Sequence, residues 1–319
     1  MKDILSKIIF GEPIIREYVT VFTTDDQINE RVYLQTDARM IDISLNHWPL
    51  CLDPVVFGIW IPSEANISPL SSQSVFKIYV ADSDSDIKKS RSCLLSVLTL
   101  EYIDKIEEED GVFLLLKPVK CGIRYLNYLK ILLIYFNHYK KPGLSLSKFK
   151  FLVSSFSYPR KVRLVSFGKE KEDYNIFPMD FAGDIASSGR FVFGLRHTNR
   201  SMPGIISAKK LVVSDCSSEY RSIIYELGKH HLATPSTPDT LPFKILETGQ
   251  FGFYVPEWVD SYREIRIDKT MNLGSHMLFW GKSINEKKMR VSDAHLYHIH
   301  FLLYFHQKRK GSTYPTAPD

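Results

Sequence analysis

Short runs of β-branched and aromatic residues, each closed by turn residues, recur along the whole chain. The two clearest are Val162–Phe167 and Phe191–Leu195, which flank the segment richest in polar side chains, and Tyr262–Ile267 and His276–Ser283 follow them. Runs of this length and composition are typical of strands. Because many short strands with few long helices favour a closed barrel over a parallel sheet, we predict a mainly β fold, a β-barrel with a few helices.

The first half of the chain shows the same pattern. Its predicted strands are Arg16–Phe22, Val32–Gln35, Arg39–Leu45, Val55–Trp60, Val75–Val80 and Gly111–Lys117. Val97–Glu107 fits a helix and a strand equally well, and residues 1–12 are predicted to form a short helix. The run Val55-Val56-Phe57-Gly58 is similar to Phe191-Val192-Phe193-Gly194, which suggests an internal duplication.

One helix stands out from these strands. In Ile123–Tyr139, apolar residues recur at helical spacing, and Lys140-Lys141-Pro142-Gly143 would end the helix. We predict a buried or interface helix there, with contact to a membrane surface as the alternative. The length of 319 residues allows two domains of ordinary size, and we place them at 1–150 and 151–319.

The segment between the two clearest strands is the first candidate site. It consists of Asn175, Ile176, Phe177, Pro178, Met179 and Asp180. In an extended chain Asn175, Phe177 and Met179 would share one face, with the remaining three on the other. Pro178 has no N–H to donate, so it marks a bulge or a sheet edge that leaves main-chain groups free for a ligand. A structural bulge without a ligand is the alternative.

A polar cluster after the second strand is the other candidate. It contains Arg196, His197, Thr198, Asn199, Arg200 and Ser201. Guanidinium groups and short hydroxyls are suited to phosphate oxygens, so the cluster is a candidate anion site, with a solvated charged turn as the alternative. A continuing strand would place Arg196, Thr198 and Arg200 on one face, whereas a turn at 198–201 would let both hydroxyls converge. The sequence leaves open which of the two arginines faces inward.

These segments occur in the order found in a known family. They are Pro159-Arg160-Lys161-Val162, then Asn175–Asp180, then Arg196–Ser201, and finally Gly274-Ser275-His276-Met277-Leu278. In this order the chain resembles, over about residues 158–285, the flavin reductase family with an FMN-binding split β-barrel. It departs from that pattern at Met179-Asp180, where many members carry serine or threonine after the proline.

The resemblance implies a fold and a function. The second half would be an FMN-binding split barrel, and the first half a degenerate second one without the anion site. Residues 175–180 would contact the flavin ring, Arg196, Thr198 and Ser201 its phosphate, and His276 would lie near the flavin or at a subunit contact. The expected activity is hydride transfer from a nicotinamide dinucleotide to flavin, in a homodimer. The alternative is a flavin-binding protein without turnover, or a split barrel for another small ligand.

Composition and motifs narrow the other possibilities. The net charge of +5 is mild and its one tight basic run is Lys308-Arg309-Lys310, so nucleic acid is not an expected partner. Four well-separated cysteines, without a leader-like N-terminus or a long apolar run, indicate a reducing cytoplasm and no membrane contact. His295, His298, His300 and His306 are dense but lie among aromatic residues, so we expect packing and no metal site.

Overall fold

A computed structural model describes residues 7, 18–23, 28–36, 39–65, 75–82, 93–168, 174–231, 238–291 and 294–311. The first half contains β1 (Tyr18–Thr23), β2 (Arg31–Gln35), β3 (Met40–Asp42), β4 (His47–Leu52), β5 (Val55–Pro62), β6 (Val75–Ala81), β7 (Leu94–Glu108), β8 (Gly111–Ile123), α1 (Tyr128–Ile134) and α2 (Leu146–Ser155). The second contains β9 (Arg160–Lys161), β10 (Arg163–Phe167), β11 (Asn175–Met179), β12 (Ala182–Ile185), β13 (Arg190–Arg196), α3 (Met202–Ala208), β14 (Lys210–Asp215), α4 (Arg221–Leu227), β15 (Ile245–Glu247), β16 (Tyr254–Pro256), β17 (Ser261–Asn272), β18 (His276–Lys288), β19 (His295–His300) and α5 (Phe301–Arg309).

Two seven-stranded antiparallel sheets dominate the structure, and they have the same topology. The first has the strand order β3-β2-β6-β7-β8-β5-β4, and the second β11-β10-β14-β17-β18-β13-β12. When the strands of each sheet are numbered by position in the chain, both orders read 2-1-5-6-7-4-3. The two halves therefore share one sheet topology, as expected for an internal duplication. That the first half is a degenerate barrel stays a prediction.

The second sheet curls around its own apolar core. One cluster of buried residues receives a side chain from each of its seven strands: Val165, Phe177, Ala182, Phe193, Val213, Ile265 and Phe279. Since the two edge strands, β11 and β12, reach the same cluster as the central strands, the sheet must be strongly curved. The first sheet has a separate core. The predicted mainly β, barrel-type fold is confirmed.

The two sheets pack against each other through β4, β5 and β8 on one side and β12, β13 and β18 on the other. Trp60 and Phe113 of the first sheet share a buried cluster with Leu278 and Trp280 of the second. The contact is close enough to exclude a side chain at Gly194, where a Cβ atom would lie 1.9 Å from the carbonyl oxygen of Leu50. Both halves therefore form one continuous apolar interior at this contact.

A third sheet, β1-β19-β9, ties the first strand of the chain to the last. Residue 150, the predicted domain boundary, lies inside helix α2. The predicted helix over Ile123–Tyr139 is shorter in the structure, because Ile123 ends strand β8 and the side chain of Asn127 caps α1 by accepting a hydrogen bond from the Lys130 N–H at 2.9 Å. A π-helical turn, Tyr135–Tyr139, follows α1.

Other expectations differ in detail. Val97–Glu107 lies within strand β7, and the proline-containing strand β4 was not predicted. Most of the helix expected at 1–12 lies outside the described residues. In the part of the chain that the structure describes, no helix combines the length and the apolar character needed to cross a membrane.

Candidate functional site

A cavity of about 370 Å³ lies at the junction of the two halves, and we call it the cleft. Five of the predicted site residues line it: Pro178, Met179, Asp180, Arg196 and His276. The first three belong to the end of β11 and the turn after it, and the other two to β13 and β18. The structure therefore brings the two candidate segments, which are distant in sequence, to one cavity.

Strand β11 delivers the first segment to the cleft from the edge of the second sheet. It pairs with β10 alone among the described strands, with Pro178 opposite Leu164. Its side chains alternate as predicted, since Phe177 and Met179 enter the barrel core while Ile176 packs in a different cluster. Because proline lacks an N–H, it fits an edge position without losing a ladder hydrogen bond. Pro178 lines the cleft near the end of this edge strand.

Arg196 and His276 are neighbours across the β13–β18 ladder. The Arg196 side chain is exposed, and among the described residues no carboxylate lies within ion-pair distance of it. His276 is buried, its ring stacks on Phe181 with centroids 5.6 Å apart, and its Nδ1 lies 2.8 Å from the hydroxyl of Ser275. The pair offers a cation and a fixed imidazole on the same wall of the cleft.

The cleft also contains an ion pair, formed by Arg160 and Asp180. The Arg160 Nε donates to Asp180 Oδ2 at 2.9 Å, and His298 Nδ1 lies 3.0 Å from the same oxygen. Burial alone would raise the pKa of Asp180, but the guanidinium of Arg160 and the imidazole of His298 hold it well below its usual range. The carboxylate is therefore ionised and matched by Arg160, which leaves Arg196 as the cation available to an anionic ligand.

Three other predicted residues bind one another instead of lining the cleft. Asn175 Nδ2 donates to Ser201 Oγ at 2.7 Å, and the Ser201 N–H donates to Asn199 Oδ1 at 2.9 Å. All three side chains are buried. Strand β13 ends at Arg196, and the Asn199 N–H donates to the Arg196 carbonyl to form a turn. Because of this turn, Ser201 points inward while Thr198 is exposed, and the two hydroxyls lie in different environments.

The remaining predicted residues are also placed outside the cleft. His197 is exposed, with Nε2 3.2 Å from Asn272 Oδ1, and Thr198 is exposed beside it. The side chains of Ile176 and Phe177 are fully buried in apolar clusters, so neither side chain can contact a ligand in the cleft. A main-chain contact from them stays a prediction.

A first testable prediction concerns the buried hydrogen bond between Asn175 and Ser201. Ser201→Ala removes the acceptor of a buried hydrogen bond, so we expect a loss of about 0.5–1.5 kcal/mol in the free energy of unfolding. Denaturant unfolding measures it, with Ser187→Ala, at an exposed position, as the control. A Ser201→Ala protein as stable as the control would contradict the structural role.

Several residues of the cleft were not predicted as site residues: Leu52, Arg160, Phe181, Gly194, Tyr225, Gly228 and His298. Two of them carried a signal. Arg160 belongs to the first motif of the resemblance, and His298 to the dense histidine group. Leu52 comes from the other half of the chain, and no local pattern connects it with the second half.

The other histidines of that group have structural positions. His300 is buried, its Nδ1 accepts from the Leu302 N–H at 3.3 Å at the start of α5, and burial lowers its pKa to about 3. The His306 ring packs 5.1 Å from the ring of Tyr125. Within the described residues, no group of three histidine, cysteine, aspartate or glutamate side chains could hold a metal ion.

Comparison with known proteins finds similar structures only. No protein-family model matches the chain, and no curated protein does. An FMN-binding protein from Thermus thermophilus is 17% identical over 41% of this chain and 73% of its own, with a TM-score of 0.37. The styrene monooxygenase flavin reductase from Pseudomonas putida S12 is 15% identical over 51% and 93%, with a TM-score of 0.39.

A third similar structure is the Streptomyces globisporus C-1027 NADH:FAD oxidoreductase SgcE6 in complex with NAD and FAD fragments. It is 13% identical over 44% of this chain and 81% of its own, with a TM-score of 0.38. These likenesses are remote, and the function is therefore inferred below from the residues of this chain.

Proposed function

We propose that the protein is a flavin-binding oxidoreductase that holds FMN in the cleft. One observation carries the proposal: the edge strand at Pro178–Asp180 and the Arg196–His276 pair, predicted separately from the sequence, line the same cavity. An edge strand has main-chain donors and acceptors to offer a flat polar ring, and a guanidinium suits a phosphate.

The chemistry of the walls supports this ligand class. Leu52, Pro178, Met179 and Phe181 provide apolar surface for a ring system. Arg160 and Arg196 against Asp180 leave one positive charge, which suits an anionic tail. A bound flavin would itself supply the hydride-accepting chemistry, so the protein has only to bind it, orient its ring and exclude water. This is consistent with a sequence that contains no obvious acid–base pair.

The finer features extend the proposal. We propose a nicotinamide dinucleotide as the electron donor, because flavin reduction needs a hydride donor and a reduced nicotinamide is one. A homodimer and a cytoplasmic location, both expected from the sequence, stay predictions. A flavin-binding protein without turnover is the second candidate, and Asp180 favours it, since an ionised carboxylate stands where the related pattern has a hydroxyl.

The decisive experiment is a titration of the purified protein with FMN, FAD and riboflavin, followed by fluorescence. We expect FMN to bind more tightly than riboflavin, because FMN has a phosphate for Arg196 and riboflavin has none. Oxidation of NADH or NADPH with saturating FMN then separates turnover from binding alone. A protein that binds none of the three flavins would contradict the proposed function.

A further inference from the structure

The two sheets can be compared position by position, because their strands run in the same order. The similar runs place Gly58 of β5 at the position of Gly194 of β13, and the ladders pair these glycines with Leu115 and Leu278. Two residues further along, the pair Arg196–His276 of the second sheet corresponds to the pair Trp60–Phe113 of the first. The polar pair of the cleft thus has an aromatic counterpart.

The position of this aromatic pair in the first sheet is occupied by tightly packed side chains. Trp60 and Phe113 are fully buried, and their rings lie 6.4 and 4.8 Å from the ring of Trp280, measured between centroids. Packed aromatic rings leave neither space nor a cation for an anionic ligand. Of the two equivalent positions, only the one in the second sheet is chemically equipped for binding.

The first sheet nevertheless reaches the cleft through the turn between β4 and β5. Leu52 forms part of the cavity wall, and Asp53 is fastened to the second sheet by two hydrogen bonds. The Ser275 N–H donates to the Asp53 carbonyl at 2.8 Å, and the Asp53 N–H donates to Ser275 Oγ at 3.0 Å. At Gly274, where φ is +117°, a Cβ atom would lie 2.5 Å from the Asp53 carbonyl oxygen. The turn is therefore seated closely on the β17–β18 connection.

The Ser275 hydroxyl connects the Asp53 turn to His276. The hydroxyl of Ser275, which accepts from Asp53, lies 2.8 Å from His276 Nδ1 and 3.4 Å from the Sγ of Cys51. The position of the Ser275 hydroxyl is thus set by residues of the first sheet, and it fixes the imidazole on one side of the cleft. Phe181 stacks on a face of the same ring.

We propose that the first half is a working part of the binding site: Leu52 contacts the ligand, and Asp53 acts through Ser275 as a positioning residue for His276. One chain then contains one complete cleft, and ligand binding needs no second chain. The identity of the ligand as a flavin rests on the proposed function, whereas the coupling of Asp53, Ser275 and His276 does not.

Two measurements with FMN test whether one chain binds the ligand alone and whether Leu52 contacts it. The titration is repeated over a wide range of protein concentrations, with the molar mass followed by light scattering. We expect one FMN per chain of 36.9 kDa and an affinity that does not change on dilution. Leu52→Trp, which fills the cleft, should weaken FMN binding at least tenfold. Leu129→Trp, the same change at an exposed position of α1, should leave it unchanged.

Two results would overturn this part. One is wild-type affinity in a folded Leu52→Trp protein. The other is binding that is lost on dilution in parallel with dissociation of a dimer.

A flavin-free measurement tests the coupling. The ¹⁵N shifts of the His276 ring report its tautomer, and Ser275→Ala should change them because Nδ1 loses its partner. Ser283→Ala, further along the same strand, is the control and should not. Unchanged His276 shifts in a folded Ser275→Ala protein would overturn the positioning role. If wild-type protein binds no flavin, the proposed function and the ligand contact of Leu52 both fail, and this measurement still decides whether Ser275 positions His276.

Discussion

Arg196→Ala should weaken FMN binding by about ten- to a hundredfold, which is the effect of losing about 1.5–3 kcal/mol from a charge-assisted hydrogen bond. Arg196 lines the cleft, is exposed to it, and has no carboxylate partner among the described residues. Its charge is thus available to a phosphate. Fluorescence titration of the folded variant measures the effect.

Two controls make this prediction specific to the phosphate. Arg200→Ala removes a guanidinium from the same turn, at an exposed position that does not line the cleft, and should change FMN affinity less than twofold. Riboflavin, which has no phosphate, should bind the wild type and Arg196→Ala with similar affinity. An equal loss for FMN and riboflavin would show that Arg196 does not hold the phosphate.

Asp180→Asn should destabilise the protein strongly, by about 3–5 kcal/mol, because it removes the carboxylate charge that pairs with the buried guanidinium of Arg160. The Arg160 side chain is only 6% exposed, and Asp180 is its ion-pair partner at 2.9 Å. Denaturant unfolding at neutral pH measures the loss. Glu101→Gln, in an exposed ion pair with Lys117, is the matched control and should cost at most about 1 kcal/mol.

The same variant has a pH signature. The pKa of Asp180 is lower in the folded than in the unfolded protein, so its contribution is fully present above the unfolded value of about 4. It is lost progressively as the pH falls below that value. The stability difference between wild type and Asp180→Asn should therefore be largest near neutral pH and shrink in acid. A difference independent of pH would contradict the ionised pair.

The barrel architecture could be predicted from the sequence, because strands have a recognisable local residue pattern. Runs such as Val162–Phe167 and Phe191–Leu195 are apolar and β-branched, and the structure places both in strands. The alternation along β11 was also correct, since a period of two follows directly from strand geometry. The duplication could be proposed from one four-residue similarity, and the equal order of all strands in the two sheets supports it.

Only part of the site could be predicted from the sequence, because a turn and tertiary packing determine which residues line it. The alternation expected over Arg196–Ser201 fails where β13 ends. Ser201 therefore accepts a hydrogen bond from Asn175 and does not line the cleft. Strand β4 contains Pro49, which argues against a strand locally, yet β4 lies at a sheet edge, where proline is tolerated. Leu52 belongs to the cleft only because the two sheets pack together, and no pattern in the chain encodes that contact.

The equal strand order of the two sheets has a consequence for how this molecule can change. In an assembly of identical chains, each substitution appears on every copy, so a site cannot be kept in one and abandoned in another. Here both sheets are encoded separately within one polypeptide. Each half can therefore specialise on its own, one towards rigid aromatic support around Trp60 and the other towards polar chemistry around Arg196.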